Sequence, residues 1–208
     1  MADKIAEILL KVNAVMLRTN PPFRWVSGIL APIYTDNRLL MSHVREREFI
    51  VNSFIRMIKK NKLKFDGFAA TATAGIAWAA WLSQKLKKPM VYVRSESKDH
   101  GKENLVEGKI EENKVYIVVE DLISTGGSSA NTISAVRSKG GIVEHCIAIF
   151  TYELEKAIQN FQTANVQLLT LTNFTSLVKI AVKQKYIAGG QLSHIMDWKK
   201  NPEGWVAV

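Results

Sequence analysis

Five short apolar runs alternate with helical patterns from about residue 65 onward, and this alternation constrains the fold more than any other feature of the chain. The runs are GFAATA, MVYVR, KVYIVVE, IVEHCIAIF and VQLLTL. They lack a regular apolar–polar alternation, which predicts strands that are buried on both faces. Helical spacing between them predicts helices near 75–87, 127–139 and 153–163. The pattern therefore predicts an α/β fold with a mainly parallel five-stranded sheet flanked by helices.

The remaining segments predict additions to this sheet rather than a second domain. At 208 residues, the chain has the length of one domain, which we place at 1–208. Its predicted parts follow in order: 1–64 (a helix over 3–18, a small N-terminal hood of short irregular strands at 23–40, a helix over 43–60), 65–172 (the core sheet) and 173–208 (helices near 173–186 and 190–199).

Charge and cysteine content narrow the classes of protein. There are 28 Lys and Arg against 19 Asp and Glu, a net charge of +9, so the surface attracts anions such as phosphorylated metabolites, nucleic acid or membrane lipid. One cysteine forms neither an internal disulfide nor a cysteine metal cluster. The N-terminal segment is interrupted by charges and lacks a signal-peptide core, which predicts a cytoplasmic protein.

Two stretches bear on nucleic-acid and membrane partners. The basic run over 59–64 has little aromatic interleaving, which predicts a solvated surface and no nucleic-acid partner. The uncharged stretch over 67–84 is dominated by Ala, Thr and Gly and has an internal break, so we predict a strand, a turn and a buried helix there. We therefore expect no membrane partner.

Residues 95–113, SESKDHGKENLVEGKIEEN, interrupt the regular pattern. They are polar, and their larger apolar residues are Leu105, Val106 and Ile110. A loop of this length within a compact domain is uncommon and is typically a functional lid or a disordered segment. We predict a flexible lid, and the alternative is a solvated loop with no task.

The segment over 115–128, VYIVVEDLISTGGS, carries the chemistry. A buried strand, 115–119, is followed by Glu120 and Asp121 and then by a Ser/Thr/Gly run that opens a helix. Ligands of open α/β sheets bind beyond the carboxyl ends of the strands. Backbone N–H groups at a helix start, together with hydroxyls, suit a phosphate monoester. The acids would accept hydrogen bonds from sugar hydroxyls or help to hold Mg²⁺.

Several other readings of this segment are weaker. The sequence has no G-x-x-x-x-G-K-[ST], G-x-G-x-x-G or G-x-S-x-G, which argues against a P-loop triphosphatase, a dinucleotide-binding fold and a hydrolase elbow. A helix cap with incidental acids is the structural alternative.

These residues resemble a known family. VVEDLISTGGS is similar to the phosphoribosyl pyrophosphate motif of type I phosphoribosyltransferases: a strand, two acids, two apolar residues and a phosphate loop. YVRSESKDHGKENLVEG resembles the flexible catalytic loop, R-x-x-x-K-x-H-G, of the orotate phosphoribosyltransferase family. SGILAPIYTDNRLL resembles the N-terminal segment of that family, and TATAGIA resembles its loop near the pyrophosphate. The match runs over nearly the whole chain.

The resemblance implies an activity and an assembly. Orotate and phosphoribosyl pyrophosphate would give orotidine monophosphate and pyrophosphate, with Mg²⁺ as cofactor, in the de novo synthesis of UMP. The family is a homodimer in which each catalytic loop reaches the active site of the partner. Mg²⁺ would be held through substrate and water near Glu120 and Asp121, with no direct protein ligand.

The resemblance also assigns residues. Lys98 and Asp121 would be catalytic, and Ser124 would contact orotate as well as phosphate. Positively charged groups on the lid would stabilise the leaving pyrophosphate and exclude water. The implied binding set for phosphoribosyl pyrophosphate is Arg94, Lys98, His100, Glu120, Asp121, Leu122, Ile123, Ser124, Thr125, Gly126, Gly127 and Ser128.

Two other functions stay open from the residues alone. One is a regulator built on the same fold, which the net charge of +9 favours. Two features argue against it: the predicted lid keeps its Arg, Lys and His, and no helix-turn-helix domain is apparent. The other is a purine or uracil phosphoribosyltransferase, which would share the phosphate loop but not the lid motif. The chain also departs from common family members at four positions: Val26, Ala31, Ser95 and Tyr152.

Overall fold

The secondary structure follows the predicted alternation closely from residue 44 onward. The computed structural model describes residues 1–25, 27–95 and 105–207. Its strands are β1 Val15–Leu17, β2 Phe23–Arg24, β3 Leu30–Ala31, β4 Ile33–Thr35, β5 Gly67–Thr71, β6 Met90–Val93, β7 Val106–Glu107, β8 Val115–Ile123, β9 Ile142–Thr151 and β10 Gln167–Asn173. Its α-helices are α1 Ala2–Lys11, α2 Val44–Lys60, α3 Ala74–Leu86, α4 Gly127–Ser138, α5 Glu155–Thr163, α6 Phe174–Lys183 and α7 Leu192–Lys200.

The central sheet has six strands in the order β10-β9-β8-β5-β6-β7. All neighbouring pairs are parallel except β6 and β7, which are antiparallel. After β6 the chain returns across β5 to place β8 on its other side, so the strand order reverses between β5 and β8. Such a reversal opens a crevice at the carboxyl ends of the two strands, which is where ligands of open α/β sheets bind.

The five-stranded sheet of the sequence analysis is wrong by one strand. The sixth strand, β7, lies inside the segment predicted as a flexible loop over 95–113. Val106 pairs with Val93 and is 7% exposed, so one buried apolar side chain holds this short strand on the edge of the sheet. The prediction of a loop over 95–113 is therefore wrong at Val106–Glu107, and the part over 96–104 lies outside the described residues.

The long strand β8 is buried on both faces, as its sequence predicts. Ile117 and Val119 face one apolar cluster, and Tyr116 and Val118 face the other. Helices α4 and α5 cover one face of the sheet, while α1, α2, α3, α6 and α7 pack on the opposite side. The apolar stretch over 67–84 forms β5, a turn and most of α3. In the described ranges no helix is long and apolar enough to cross a bilayer.

The first helix is shorter than predicted. Helical spacing predicts a helix over 3–18, but α1 ends at Lys11, and Asn13 takes a left-handed conformation with φ of 56°. Val15 and Leu17 are then buried at strand spacing, paired with β4. The apolar residues beyond the turn satisfy either periodicity over so short a stretch, and the available partner strand decides between them.

The hood, residues 23–40, is tied to the C-terminal helix by aromatic side chains. Trp198 of α7 donates a hydrogen bond from Nε1 to the carbonyl oxygen of Leu30 at 3.1 Å. The Trp25 ring lies 5.3 Å from that of Trp198 and 5.0 Å from that of Tyr152, measured between centroids. The hood, the end of β9 and α7 therefore meet in one aromatic cluster.

Gly75 permits the closest approach of α3 to the sheet, and we expect Gly75→Ala to destabilise the protein. A Cβ at this position would overlap the carbonyl oxygen of Val119, which is backbone and cannot rotate away. Overpacking of this kind costs about 1–3 kcal/mol, or roughly 3–10 °C in melting temperature for a chain of this size. Gly190→Ala is the matched control, since a Cβ there meets nothing within 4 Å. Equal melting temperatures for both variants would contradict the close approach.

Candidate active site

The two acids of the motif lie at the reversal point of the sheet. Glu120 and Asp121 belong to β8, next to the end of β5, where Ala70 pairs with Val119. The strand does not stop at the acids: it continues to Ile123, because Leu122 and Ile123 pair with β9. The acids are therefore held by strand pairing rather than by a loop, which makes their position rigid.

The acids occupy an environment that penalises negative charge. Glu120 is 6% exposed, and burial raises its pKa well above its ordinary value, with the charge of Asp121 raising it further. Burial also raises the pKa of Asp121, against the opposing effects of hydrogen bonds and of the Arg38 charge. Groups with perturbed pKa values in a cleft are typical of functional sites. A bound cation or a set of hydroxyl donors would favour the ionised forms of both.

The hood reaches over these acids, a contact that the sequence analysis did not assign. Asn37 donates a hydrogen bond from Nδ2 to the carbonyl oxygen of Asp121 at 2.8 Å. The neighbouring Arg38 forms two hydrogen bonds to Asp36, at 2.7 and 2.9 Å, and its positive charge is felt at Asp121. The D-N-R triplet within SGILAPIYTDNRLL is the signal that could have identified these residues.

The phosphate loop, residues 124–128, is open toward the crevice. Gly126 takes φ of 79° and its Cα faces the Phe161 ring, so a side chain there would be strained. Asn160 of α5 donates a hydrogen bond to the carbonyl oxygen of Thr125 at 2.8 Å and fixes the loop from behind. Thr125 and Ser128 are exposed and Ser124 is half-buried. Free N–H groups at the start of α4 and these hydroxyls form a suitable anion cradle.

Arg94 lies on the other side of the same crevice. Its backbone N–H donates to the carbonyl oxygen of Leu105, and its guanidinium lies 3.6 Å from the carboxylate of Glu107. A small hollow is lined by Arg94, Ser128 and Ala72, which brings the start of the lid, the phosphate loop and the TATAGIA turn together. Lys98 and His100 lie outside the described residues.

A larger cavity opens on the hood side of the phosphate loop. This hood cavity has a volume of about 800 Å³ and is enclosed by the hood, the phosphate loop, the start of α5 and the end of α7. Trp25, Ile29 and Leu154 supply apolar walls, and Ser124 and Thr125 line the side of the phosphate loop. Its size is typical of a small-molecule site, and the apolar walls are joined by polar and charged side chains from the phosphate loop, α5 and the end of α7.

Tyr152, one of the four departures from common family members, lies beneath this cavity. It is 3% exposed and packs against Trp25 and Trp198. Burial raises the pKa of its hydroxyl, so it is neutral at physiological pH. Tyr152 therefore supplies no charge to a ligand in this cavity.

The acid pair is the candidate contact for a metal ion in the described ranges. No three His, Cys, Asp or Glu side chains gather there into a group that could hold a metal ion. Glu120 and Asp121 are two adjacent oxygen donors, which suits Mg²⁺ that carries most of its shell as water and substrate oxygens.

The raised pKa of Glu120 predicts that this side chain makes the protein less stable as the pH rises. A carboxyl whose pKa is higher in the folded than in the unfolded state adds stability at low pH and loses it as pH rises from near 4.5 through the raised value. Glu120→Gln removes that loss. We expect its melting temperature to equal that of the parent near pH 4 and to exceed it near pH 8, where each kcal/mol of stability shifts the melting temperature by roughly 2–4 °C in a chain of this size. A difference that is constant across this range in paired melting curves would contradict a raised pKa.

Comparison with known proteins identifies the class to which this fold and site belong. Residues 42–167 match the phosphoribosyl transferase domain family, and the parallel sheet with its acid pair and phosphate loop at the reversal point is the type I form of that fold. An orotate phosphoribosyltransferase from Coxiella burnetii is 46% identical over 98% of both chains, and one from Listeria monocytogenes is 46% identical over 97% of both. The chain belongs to the orotate phosphoribosyltransferase family.

A solved structure agrees with this assignment. The crystal structure of orotate phosphoribosyltransferase from Aeropyrum pernix is similar with a TM-score of 0.77 and 28% identity, over 88% of this chain and 99% of that one. The family resemblance and the fold class of the sequence analysis are thereby confirmed.

Proposed function

We propose that this protein transfers ribose 5-phosphate from phosphoribosyl pyrophosphate to orotate, giving orotidine monophosphate and pyrophosphate. The bond from ribose C1 to the pyrophosphate oxygen breaks, a bond from C1 to orotate N1 forms, and the proton of N1 is released. The observation that carries the proposal is that the acid pair leads directly into the phosphate loop, whose Ser124 and Thr125 also line the hood cavity. This order suits a ribose ring with its phosphate on one side and a planar base on the other.

The phosphate loop would hold the 5′-phosphate. The N–H groups at the start of α4 and the hydroxyls of Ser124, Thr125 and Ser128 supply donors without a positive side chain, and Gly126 and Gly127 let the backbone approach the ligand. Leu122 and Ile123 contribute through the strand backbone that leads into the loop. Ser124 also lines the hood cavity, so it is placed to contact orotate.

Glu120 and Asp121 would bind the ribose hydroxyls. The transition state of such a transfer has oxocarbenium character, so positive charge develops on the sugar. Two carboxyls whose pKa values are raised in the free protein gain most from ionising beside that charge. Mg²⁺ bound to the substrate would supply charge neutralisation at the diphosphate, and these acids would hold it through water.

The leaving pyrophosphate would be received by Arg94, with Lys98 and His100 added by the lid. Arg94 already lines the hollow beside Ser128. A cationic lid that closes over the diphosphate stabilises negative charge as it develops and keeps water from the activated sugar. By family resemblance, this lid serves the partner subunit of a homodimer. We place the reaction in the de novo synthesis of UMP, in the cytoplasm.

An absorbance assay of base consumption tests the proposal. Purified protein with phosphoribosyl pyrophosphate and Mg²⁺ should consume orotate, and parallel reactions with uracil, hypoxanthine and adenine should be slower by at least roughly a hundredfold in kcat/KM, as expected when a site is built for a polar group that the other bases lack. Reaction with uracil or a purine at the rate seen with orotate would contradict the proposal. Omission of the metal, with a chelator present, should abolish turnover.

A further inference from the structure

The hood cavity contains a half-buried cation that has no role in the phosphate chemistry. Lys199 lies in the last turn of α7 with a side chain that is 24% exposed. Its ammonium donates a hydrogen bond to Oγ1 of Thr175 at 2.9 Å and lies 3.4 Å from Oε2 of Glu153. An ammonium has three N–H donors. Among the described residues it has these two partners, which leaves one donor for a ligand in the cavity.

The other cations of the cavity are less suitable. Lys200 is paired with Asp197, and its side chain is 74% exposed. Lys156, on the first turn of α5, is exposed as well. Charges in contact with solvent interact weakly with a ligand, whereas a half-buried and tethered cation retains more of its interaction energy and loses less side-chain freedom. Two carboxylates, Glu155 and Glu203, also line the cavity and disfavour an anion near its mouth.

We propose that Lys199 binds the carboxylate of orotate and thereby selects orotate over uracil. This inference rests on the proposed function. Orotate is uracil with a carboxylate on the ring, so discrimination requires a group that favours the negative charge. The planar ring would lie between Trp25 and Leu154, near Ser124 at the ribose side, and its carboxylate would point to the end of α7. Tyr152 offers no charge there, so the C-terminal helix supplies it.

The structure also explains why this lysine is held in place. Glu153 accepts hydrogen bonds from the backbone N–H and the hydroxyl of Thr175, and its carboxylate orients the ammonium of Lys199. The Trp198 ring, next along α7, packs against Trp25 and is hydrogen-bonded to the hood. Helix α7 therefore contributes both the cation, Lys199, and the adjacent Trp198, which packs against the Trp25 wall of the cavity.

Steady-state kinetics with Lys199→Met and Lys199→Gln test the proposal. Loss of a charge-assisted contact predicts a rise of roughly ten- to a hundredfold in KM for orotate, with KM for phosphoribosyl pyrophosphate within about twofold of the parent. The slow reaction with uracil should not decrease, so the orotate preference collapses. Lys199→Arg should retain most of that preference. Lys179→Met is the matched control, because Lys179 is exposed on the neighbouring helix α6 and does not line the hood cavity, and it should behave as the parent.

Glu153→Gln separates recognition from mere support of the helix. It weakens the contact to Lys199 but keeps the cation, so it should lower the melting temperature while leaving KM for orotate within a few-fold of the parent. Parental KM values for orotate in both neutral Lys199 variants would overturn the proposal, as would an equal rise in those variants of the KM values for orotate and for phosphoribosyl pyrophosphate. Absence of orotate turnover in the parent protein would instead refute the proposed function.

Discussion

Asp121→Asn is expected to lower kcat for orotate by roughly ten- to a hundredfold while the free protein melts at the parental temperature or slightly above it. The loss corresponds to about 1.5–3 kcal/mol, the value of one charge-assisted contact made in the transition state. Stability should not suffer, because burial already raises the pKa of this carboxyl, so its charged form is unfavourable in the fold. The hydrogen bond from Asn37 ends on the backbone carbonyl and survives the change.

The control for Asp121→Asn is Asp3→Asn, the same loss of one negative charge at an exposed position on α1. It should have parental kinetics and so exclude an effect of net charge. Rates and melting curves measured on the same preparations separate catalysis from folding. A fully active Asp121→Asn protein would remove this residue from the site and leave Glu120 as the acid that meets the ribose.

The second large effect concerns the assembly. We expect two nearly inactive proteins, Lys98→Ala and Asp121→Asn, to regain activity when their subunits are exchanged. If each lid acts in the partner's site, one of the two sites in every heterodimer contains both substitutions. The other site combines the unchanged lid of the Asp121→Asn chain with the unchanged acid pair of the Lys98→Ala chain. Random exchange of equal amounts then restores about a quarter of the parental sites. Activity of the mixture, followed with time after mixing, is the measurement.

Asp121→Asn mixed with Ser124→Ala is the matched control for that experiment. Both lesions lie on the same side of the shared site, so no heterodimer site is free of damage and activity should stay at the average of the two proteins. Exchange is verified by mass in both mixtures. Complete exchange without recovery in the Lys98→Ala mixture would mean that the lid folds over its own chain and that each subunit works alone.

The parts of this protein that were predictable from the sequence are those encoded within short contiguous stretches. The acids and the phosphate loop occupy one segment, 115–128, where a buried strand, two carboxylates and small residues follow directly on each other. The parallel strands were predictable for the same reason, because burial on both faces leaves an apolar run. The structure shows this burial on both faces of the sheet. Tyr116 and Val118 lie in one apolar cluster, and Ile117 and Val119 lie in the other.

Local sequence patterns gave wrong secondary-structure predictions where pairing with a distant strand determined the structure. Val15 and Met16 fit a helix by spacing, yet they form β1 because β4 lies beside them. Val106 falls in a polar segment whose composition predicts a loop, but the free edge of β6 pairs with it and buries it. In each case the local preference is weak, and a tertiary contact outweighs it.

By itself, then, the sequence determined the α/β class, the family and the residues that would handle phosphate and ribose. Only the tertiary structure determined which residues would bind the orotate base. The contact between Asn37 and Asp121 spans 84 residues, and the hood cavity combines Trp25, Ser124 and Lys199 from the beginning, middle and end of the chain. The return of β8 across β5 and the packing of α7 on the hood bring these segments together. The spacing of residues along the chain does not indicate which distant loops the sheet topology brings together at one edge of the sheet.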